Sequence, residues 1–417
     1  MNTLTDIAAV RSAAAKAVAE TTITDIHTHL FSPAHGDLLL WGPDAVLTYH
    51  YLVAELFAVA PRELTTDAFW ALSTREQADL VWEHVFCKHG PLSEATRGVL
   101  TVFEKLGLDI ADRDLNRIRE HFATLSADDY LEQVFELANI DYAVMTNNPF
   151  SAEEVAAWDA DLPVPERLKT ALRIDTLLLD WPNAAQAMRD QGYDAKDTFD
   201  ADSALVAQKF LADWIARIGP MYMAASLPET FEYPANALST QIFDDVLMPV
   251  ALAHDLPVAM MIGVKRGMNP SLGDGGDGVG EASVDAVVGA CQRYPDGKFI
   301  VTMLSRVNQH ELCVASRKFG NLHVEGCWWF CNNPSIIDEM TRMRLELLGT
   351  AFTAQHSDAR VLDQLLYKWP HTRAILAEVL VEKYLDLHAT GWRVTEDDVQ
   401  RDVRALLGGS FEEFLAR

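Results

Sequence analysis

The sequence is poor in cysteine and in basic residues, and it contains no long hydrophobic run. Its 417 residues include only five cysteines, an odd number that fits reduced thiols better than a framework of disulfides. Lys and Arg number 34 against 61 Asp and Glu, which gives a net charge of −27. Nucleic acids and anionic membrane surfaces bind through neutralisation of phosphate by Lys and Arg. We therefore expect neither of them as a partner.

No segment reaches the roughly 18 continuous apolar residues of a membrane helix. Charged residues are also spaced through the first 20 positions, where they interrupt the apolar stretch that a signal peptide needs; they are Asp6, Arg11, Lys16 and Glu20. These two absences predict a cytoplasmic protein.

The chain does contain eight short apolar runs rich in β-branched residues, each followed by a stretch of helical periodicity. They predict strands at 23–29, 141–148, 168–175, 222–228, 257–264, 298–305, 321–330 and 351–358. Continuous apolar runs are typical of parallel strands that are buried on both faces. Eight strand–helix repeats predict a (β/α)8 barrel of the TIM type, with functional side chains at the C-terminal ends of the strands.

Two helical additions are expected to distort this barrel. The first and second predicted strands are far more widely separated than one crossover helix requires, which indicates a helical insertion capping the barrel mouth. After the eighth predicted strand the pattern is helical, and Thr395 is a plausible N-cap there. We expect an N-terminal helix at 1–22, a catalytic barrel at 23–360 with its insertion at 30–140, and C-terminal helices at 361–417.

The strongest local motif is Asp25-Ile26-His27-Thr28-His29, at the end of the first predicted strand. Residues two apart in a strand point to the same side, so His27 and His29 present two imidazoles as a metal site needs. The alternative is a pair of hydrogen-bonded core histidines. The position at the end of a barrel strand favours the metal site.

Asp358 ends the eighth predicted strand, which neighbours the first strand once a barrel closes. It could complete a His/His/Asp metal site or act as a carboxylate base beside the metal. The alternative is that Asp358 caps the following helix.

His50 and Tyr51 lie early in the predicted insertion. Both are proton-transfer residues, and a site that moves protons between carbon atoms needs such groups over an open coordination position. Ordinary packing is the alternative for an adjacent His-Tyr pair.

Basic residues at strand ends are conspicuous in so acidic a chain. Arg173, Lys265, Arg266 and Arg360 all follow predicted strands, and guanidinium groups suit a carboxylate. We therefore expect a small anionic substrate, although salt bridges to nearby carboxylates are an equally open interpretation.

Two further segments concern the mouth of the barrel. The glycine-rich stretch 273–278 matches GxGxxG, but Asp274 and Asp277 would repel a pyrophosphate. We interpret 273–280 as a mobile loop and hypothesise that it is a lid. Trp328 or Trp329 is expected to line the pocket, while the other packs in the core.

A second metal would need further ligands from the middle strands. Those strands end in Ala-Ala-Ser-Leu-Pro, Met-Met-Ile-Gly and Met-Leu-Ser-Arg, which offer no His or Lys before the loops. We expect one divalent metal, either loosely held or not strictly required.

Several segments together resemble uronate isomerase, a divergent family of the amidohydrolase superfamily. They are TDIHTHLFSP, VLTYHYLVAE, ALRID, NQHELCVASRKF, GCWWFCNNP, EMTRMRLELLGTAFTAQHSDARVL and QLLYKW. The resemblance runs from about residue 23 to 385 and is most specific over 308–369. Many family members carry His in the fifth strand where this chain has Met261, which indicates a shorter, divergent branch.

The resemblance implies a distorted (β/α)8 barrel that interconverts D-glucuronate with D-fructuronate and D-galacturonate with D-tagaturonate. It also implies the site residues. The metal, expected to be Zn²⁺, would be held by His27, His29 and Asp358, and the catalytic groups would be Asp358, Tyr51, His50 and Arg360. The substrate-binding groups would be Arg173, Arg360, His50, Trp328 and Lys265.

Aldose–ketose isomerisation removes the C2 proton, passes through a cis-enediolate and returns a proton to C1. It therefore needs a base, an electrophile and a clamp for the C6 carboxylate. We hypothesise that Asp358 helps to open the sugar ring, that Tyr51 or His50 moves the proton, and that Arg360 or the metal stabilises the enediolate.

Two other functions stay open at this point. One is a mononuclear metal-dependent hydrolase or decarboxylase of the same superfamily that acts on a small carboxylate, with Asp358 activating a metal-bound water. The other is a sugar-acid binding protein without catalysis. In each case we expect a small-molecule ligand and a homo-oligomer.

Overall fold

The parallel strands of the barrel follow one another around a curved sheet in a computed structural model that describes residues 3–417. The strands are β1 Ile23–Thr28, β2 Ile140–Asn147, β3 Leu168–Arg173, β4 Met223–Pro228, β5 Val258–Lys265, β6 Gly278–Val279, β7 Phe299–Met303 and β8 Leu322–Val324. Their order is β1-β2-β3-β4-β5-β7-β8, and the two-residue β6 pairs antiparallel with the end of β5. Seven of the predicted strands are thus confirmed, although β8 is much shorter than the predicted 321–330.

The eighth predicted strand, 351–358, is wrong as a regular strand. The segment is extended and fills the gap between β8 and β1, but its ladder pairing with β8 is a single bridge from Thr353 to Glu325. On the other side, the Asp358 N–H donates to the His27 carbonyl at 3.0 Å. Asp358 itself has φ +51°, which a regular strand cannot accommodate. An irregular segment therefore closes the barrel, and the predicted distorted (β/α)8 fold is confirmed.

Helices surround this sheet in the predicted places. They are α1 Ile7–Glu20, α2 Pro43–Leu47, α3 His50–Val59, α4 Thr66–Trp70, α5 Thr74–Val81, α6 Glu94–Lys105, α7 Leu115–Phe122, α8 Ala127–Ala138, α9 Ala152–Asp159, α10 Asp175–Leu179, α11 Trp181–Asp190, α12 Ala201–Ile218, α13 Leu238–Ile242, α14 Met248–Ala253, α15 Asp285–Arg293, α16 Gln309–Ser316, α17 Pro334–Leu348, α18 Leu365–Ala389, α19 Glu396–Arg404 and α20 Ser410–Leu415. None of the helices within residues 3–417 has the length and apolarity that crossing a membrane requires.

Helices α2–α8 form the predicted insertion between β1 and β2, and α18–α20 form the C-terminal extension. The expected helix at 1–22 corresponds to α1, and its first two positions lie outside the described residues. Thr395 is the N-cap of α19, as predicted, because its hydroxyl accepts the Asp398 N–H at 3.1 Å.

The C-terminal helices close one end of the barrel. Small apolar side chains from the strands fill the interior, and Phe411 and Phe414 of α20 join the same cluster. Just before α20, Gly408 has φ +131°, and a Cβ at that position would lie 2.4 Å from the Thr24 side chain at the start of β1. Only a glycine fits this approach. The open cavity lies at the other end, where the strands finish.

Candidate active site

A cavity of about 720 Å³ lies between the C-terminal ends of the strands and the helical insertion. The predicted site residues that line it are His29, His50, Arg173, Trp328, Asp358 and Arg360. Trp329 lines it as well, so the expectation that only one of these tryptophans would do so is wrong. Trp328 also packs in a small core cluster under the cavity floor.

His27 in β1 and His29 directly after β1 lie next to the carboxylate of Asp358 in the closing segment. Nε2 of His27 lies 3.7 Å from Oδ1 of Asp358, and Nε2 of His29 lies 3.3 Å from the same oxygen. His27 and Asp358 are buried and His29 is half-buried. The next helical turn begins at Leu362 with Val361 as its N-cap, so Asp358 does not cap it. The structure thus brings together the three residues that the sequence motifs suggested.

The hydrogen bonds behind the two rings fix which nitrogen carries the proton. Tyr222 donates its hydroxyl hydrogen to the Ile26 carbonyl at 2.6 Å, so it can only accept from Nδ1 of His27, 3.3 Å away. Likewise, Thr146 donates its hydroxyl hydrogen to the Thr28 carbonyl at 3.0 Å, so it can only accept from Nδ1 of His29, 2.9 Å away. Both Nε2 atoms therefore keep a lone pair that faces Asp358. Neither Tyr222 nor Thr146 was predicted from the sequence.

Only hydrogen-bond acceptors face one another between the two histidines and Asp358. Nε2 of His27 and Oδ1 of Asp358 are buried and lack a hydrogen-bond partner, and one ligand atom from each of the three residues lies within 4.8 Å of the others. Burial lowers the pKa of both histidines, which keeps them neutral. Buried acceptors without donors are costly, and a cation relieves that cost. The residues therefore fit one divalent metal, and His and carboxylate ligands suit zinc.

The fifth strand offers no metal ligand at the position of Met261. Met261, at the position where the resemblance expects a histidine, packs against Val264, Leu304 and Trp328. Its neighbours in the sheet are Ser226 and Thr302. Within residues 3–417, the group of His27, His29 and Asp358 is the one cluster with the spacing of metal ligands.

Arg173 ends β3 and reaches the cavity with part of its guanidinium already used. Its Nε and Nη2 donate to the two carboxylate oxygens of Asp175 at 3.1 and 3.0 Å. Asp175 also accepts the Ser226 N–H at 2.8 Å, which ties this pair to β4. Burial favours a higher pKa for Asp175, but the adjacent Arg173 lowers it overall. The salt-bridge interpretation is thus correct for Arg173, and Nη1 of this fixed guanidinium has no acceptor among residues 3–417.

Arg360 follows the closing segment on the other side of the metal ligands. Its Nη1 donates to the Leu38 carbonyl at 2.9 Å, and the guanidinium lies 5.3 Å from the ring centroid of Phe31. Burial lowers the pKa of Arg360. No carboxylate within residues 3–417 forms an ion pair with it, so its charge is available to an anion in the cavity.

His50 begins α3 and sits under a loop of the barrel mouth. Its Nδ1 lies 3.2 Å from the carbonyl oxygen of Asp274, and since a carbonyl only accepts, Nδ1 donates. Nε2 of His50 then keeps its lone pair. Burial lowers the pKa of His50, and its ring lies 5.3 Å from that of Trp329. A neutral imidazole therefore stands in the cavity wall.

Tyr51 lies behind His50 and is not itself among the residues that line the cavity. Its ring centroid is 4.5 Å from that of His50 and 4.8 Å from that of Tyr49. Its hydroxyl is buried, and burial raises the pKa of Tyr51, as does the neighbouring Tyr49. Tyr49, which the sequence did not single out, does line the cavity.

Lys265 does not contribute to the cavity. Its side chain is exposed where β5 pairs with β6, whereas the next residue, Arg266, lines the cavity. Arg266 forms an ion pair with Asp277. Strand residues alternate sides, and so a shift of one residue decides which cation faces the site.

The glycine-rich stretch forms a roof over this side of the cavity, which we define as residues 266–280. Asp277 anchors it by accepting the Gly267 N–H at 2.8 Å. The tip reaches the insertion, because Trp70 Nε1 donates to the Ser271 carbonyl at 3.0 Å. Within this roof Leu272, Asp274 and Gly275 line the cavity. Its mobility stays a prediction.

The solved structures that are similar to this chain include three isomerases. A uronate isomerase from Bacillus halodurans C-125 is 50% identical with a TM-score of 0.96, over 99% of this chain and 97% of that one. A glucuronate isomerase from Caulobacter crescentus is 16% identical with a TM-score of 0.78, over 98% and 94%. A uronate isomerase from Thermotoga maritima is 14% identical with a TM-score of 0.75, over 97% of each chain. The last two similarities establish the fold alone. No protein-family model and no curated protein matches the chain.

Proposed function

Because this chain belongs to the uronate isomerase family, we propose that it interconverts D-glucuronate with D-fructuronate and D-galacturonate with D-tagaturonate. The observation that carries the proposal is the 50% identity over 99% of the chain. The cavity supports it, since two guanidiniums, a neutral histidine and a His/His/Asp cluster lie in one space. Such a set suits a sugar acid with a carboxylate at one end and a carbonyl at the other.

The substrate carboxylate is proposed to bind Arg173. Because Asp175 holds two of its nitrogens, the guanidinium loses little conformational freedom when it meets an anion. Its remaining Nη1 donates to the C6 carboxylate. This contact binds substrate and transition state alike and so sets affinity more than rate.

Ring opening is proposed to use Asp358. The proton of the C1 hydroxyl passes to the Asp358 carboxylate, the bond between C1 and the ring oxygen breaks, and Asp358 then gives that proton to the ring oxygen. The pKa of Asp358 lies below its usual value despite burial, because the nearby Lys368 ammonium favours the ionised form, so the carboxylate is ready to accept this proton at neutral pH. The products are the open-chain aldehyde and the hydroxyl on C5.

The isomerisation itself moves one proton between adjacent carbons. A base takes the C2 proton, the cis-enediolate forms, and the same proton is delivered to C1 while the hydroxyl hydrogen moves from O2 to O1. Tyr51 or His50 is the shuttling base, and Arg360 stabilises the negative charge of the enediolate. His50 is ready for this role with a free Nε2, whereas Tyr51 must first lose its own proton.

The metal is proposed to be Zn²⁺, held by His27, His29 and Asp358. When bound, it would act as a Lewis acid that polarises a substrate oxygen. Three protein ligands leave coordination open to substrate, as in catalytic zinc sites. A cytoplasmic location and a homo-oligomeric state stay predictions. None of the five cysteines forms a disulfide.

Proton NMR tests the proposal directly. D-glucuronate and D-galacturonate are incubated in D₂O with the purified protein, once after chelator treatment and once with added zinc. We expect both ketouronates to form, and the two rates rank the substrates. Deuterium at C1 would mean that the shuttling base exchanges with solvent, and retained protium would mean a shielded transfer.

No conversion under any metal condition would reject the proposal. A screen of sugar lactones and small carboxylates would then test the hydrolase and decarboxylase alternative, in which Asp358 activates water. Binding of a uronate without turnover would point instead to a sugar-acid binding protein. Loss of turnover after chelation alone would make the metal obligatory.

A further inference from the structure

Lys368 is a buried cation that the proposed chemistry uses so far only as a charge near Asp358. It lies in α18 with 3% of its surface exposed, and it is the only buried lysine among residues 3–417. No carboxylate in this part of the chain forms an ion pair with it. Its Nζ instead donates to the carbonyl oxygens of Ser357 at 2.5 Å and Asp358 at 3.4 Å. Burying an unpaired ammonium is unfavourable for stability, which indicates a role other than stability.

The two carbonyls belong to the segment that shapes the metal ligand. Asp358 has φ +51°, a strained conformation for a residue other than glycine that persists only where the surroundings impose it. On the opposite edge of the same segment, the Ser357 N–H donates to Oδ1 of Asp25 at 2.9 Å. Asp25 is held in turn by Trp369 Nε1 at 2.8 Å. Lys368 therefore holds this segment directly, and its neighbour Trp369 in α18 holds it through Asp25.

The same ammonium also faces the predicted proton shuttle. Nζ of Lys368 lies 5.8 Å from the ring centroid of Tyr51, within the range of a cation–π contact. The Tyr51 hydroxyl is buried and interacts with the neighbouring Tyr49. Lys368 thus donates a hydrogen bond to the Asp358 carbonyl and lies over the ring of Tyr51.

We propose that Lys368 is a positioning residue of the active site, whose ammonium fixes the Asp358 segment and the Tyr51 ring relative to one another. This inference rests on the proposed isomerase function. Lys368 does not line the cavity and so acts through these two residues rather than on substrate. Its loss is expected to affect turnover and metal affinity more than substrate binding, since Arg173 lies elsewhere in the cavity wall.

The test compares Lys368→Met, which keeps the length and removes the charge, with Lys368→Arg, which keeps the charge. Lys383→Met is the matched control, because Lys383 lies on the same helix in a partly exposed ion pair with Glu346. We expect Lys368→Met to lower kcat by about 10- to 100-fold with KM within about threefold, and Lys368→Arg to recover part of that loss. The control is expected to keep wild-type kcat and KM.

Zinc affinity gives a readout that does not depend on turnover. Competition with a chromophoric chelator is expected to detect about tenfold weaker zinc binding by Lys368→Met and unchanged binding by Lys383→Met. If the wild-type protein does not isomerise uronates, the proposed function fails, and this titration alone decides the inference. Unchanged zinc affinity in Lys368→Met would then overturn it.

Three outcomes would contradict the inference in an active enzyme. The first is a folded Lys368→Met with wild-type kcat. The second is a rise in KM with unchanged kcat, which would assign Lys368 to substrate binding. The third is a folded Lys368→Arg as impaired as Lys368→Met. Should Lys368→Met fail to fold, Lys368→Gln replaces it with the same expectations, and circular dichroism establishes folding for each variant.

Discussion

The Thr146 hydroxyl oxygen lies 2.9 Å from Nδ1 of His29, behind the nitrogen that faces Asp358. Its hydrogen goes to the Thr28 carbonyl, so the oxygen can only accept from the imidazole. One hydroxyl on β2 thus sets the tautomer of His29, a proposed metal ligand that follows β1. The position of the proton on His29, after β1, therefore depends on a hydroxyl near the end of the neighbouring strand β2.

Thr146→Val is expected to weaken zinc binding by about 10- to 100-fold, because His29 loses the acceptor that fixes its proton on Nδ1. A chelator competition measures the affinity. Thr170→Val is the matched control, since the Thr170 hydroxyl is also buried and donates to a carbonyl, that of Ile218, at 2.7 Å. Equal zinc affinity in the two variants would contradict the tautomer argument.

Arg173→Lys is expected to raise KM for uronates by about 10- to 100-fold while kcat stays within a few-fold. The lost contact is a charged hydrogen bond worth about 1.5–3 kcal/mol, and a contact made equally in ground and transition states changes KM. Steady-state kinetics measure both constants. The control is Arg317→Lys, an exposed arginine away from this cavity. A fall in kcat with unchanged KM would move Arg173 from carboxylate binding to the reaction step.

Much of the site follows from position in the barrel alone. A His-x-His pair that ends the first strand and an Asp that ends the eighth meet because the barrel closes, even though residues 27 and 358 are far apart in the chain. Arg173 ends β3 and Arg360 follows the closing segment, so both lie at the same end of the barrel as these ligands. Apolar runs of the right length located seven strands, because burial on both faces demands them.

The rest depends on tertiary contacts that no pattern contains. The segment 351–358 is extended, yet the side chain of Asp25 accepts the N–H of Ser357, which a regular ladder would use. Lys265 and Arg266 are indistinguishable until the register at the end of β5 is known. Asp175 could have been found, because it lies two residues after Arg173, and Lys368 stands out as the one charge in the apolar stretch Leu-Leu-Tyr-Lys-Trp.

Tyr51→Phe is expected to lower kcat by about 10²- to 10⁴-fold if the phenol carries the proton between C2 and C1. Burial raises the pKa of Tyr51, so the wild-type group holds its proton until substrate binds. Turnover of both uronates by NMR is the measurement, and His50→Gln is tested in parallel. Wild-type turnover in Tyr51→Phe together with a large loss in His50→Gln would assign the transfer to His50.

Glu154 is expected to make substrate affinity depend on pH. Burial raises the pKa of Glu154 to about 7, and its charge interacts with Arg173 and Arg360. Below that pH the side chain is neutral and leaves Arg173 to the substrate carboxylate and Arg360 to the reacting end of the sugar. Above it, the ionised side chain competes for them, so KM is expected to rise as the pH increases through 7.

Glu154→Gln removes this dependence because the amide stays neutral at all these pH values. KM measured from pH 6 to pH 8 is expected to be flat in Glu154→Gln and to rise in the wild type. Glu153→Gln is the matched control, since Glu153 is exposed in the first turn of the same helix. A rise in KM that persists in Glu154→Gln would assign the effect to another group.

Gly275→Ala tests the contact between the roof and His50. A Cβ at Gly275 would lie 3.0 Å from the His50 carbonyl oxygen, so the roof must shift and the hydrogen bond from His50 to Asp274 weakens. That bond holds the proton on Nδ1, and its loss is worth about 0.5–1.5 kcal/mol. We expect kcat/KM to fall about three- to tenfold. Gly320→Ala is the control, since a Cβ there meets nothing within 4 Å, and equal kcat/KM in both variants would mean that the roof does not position His50.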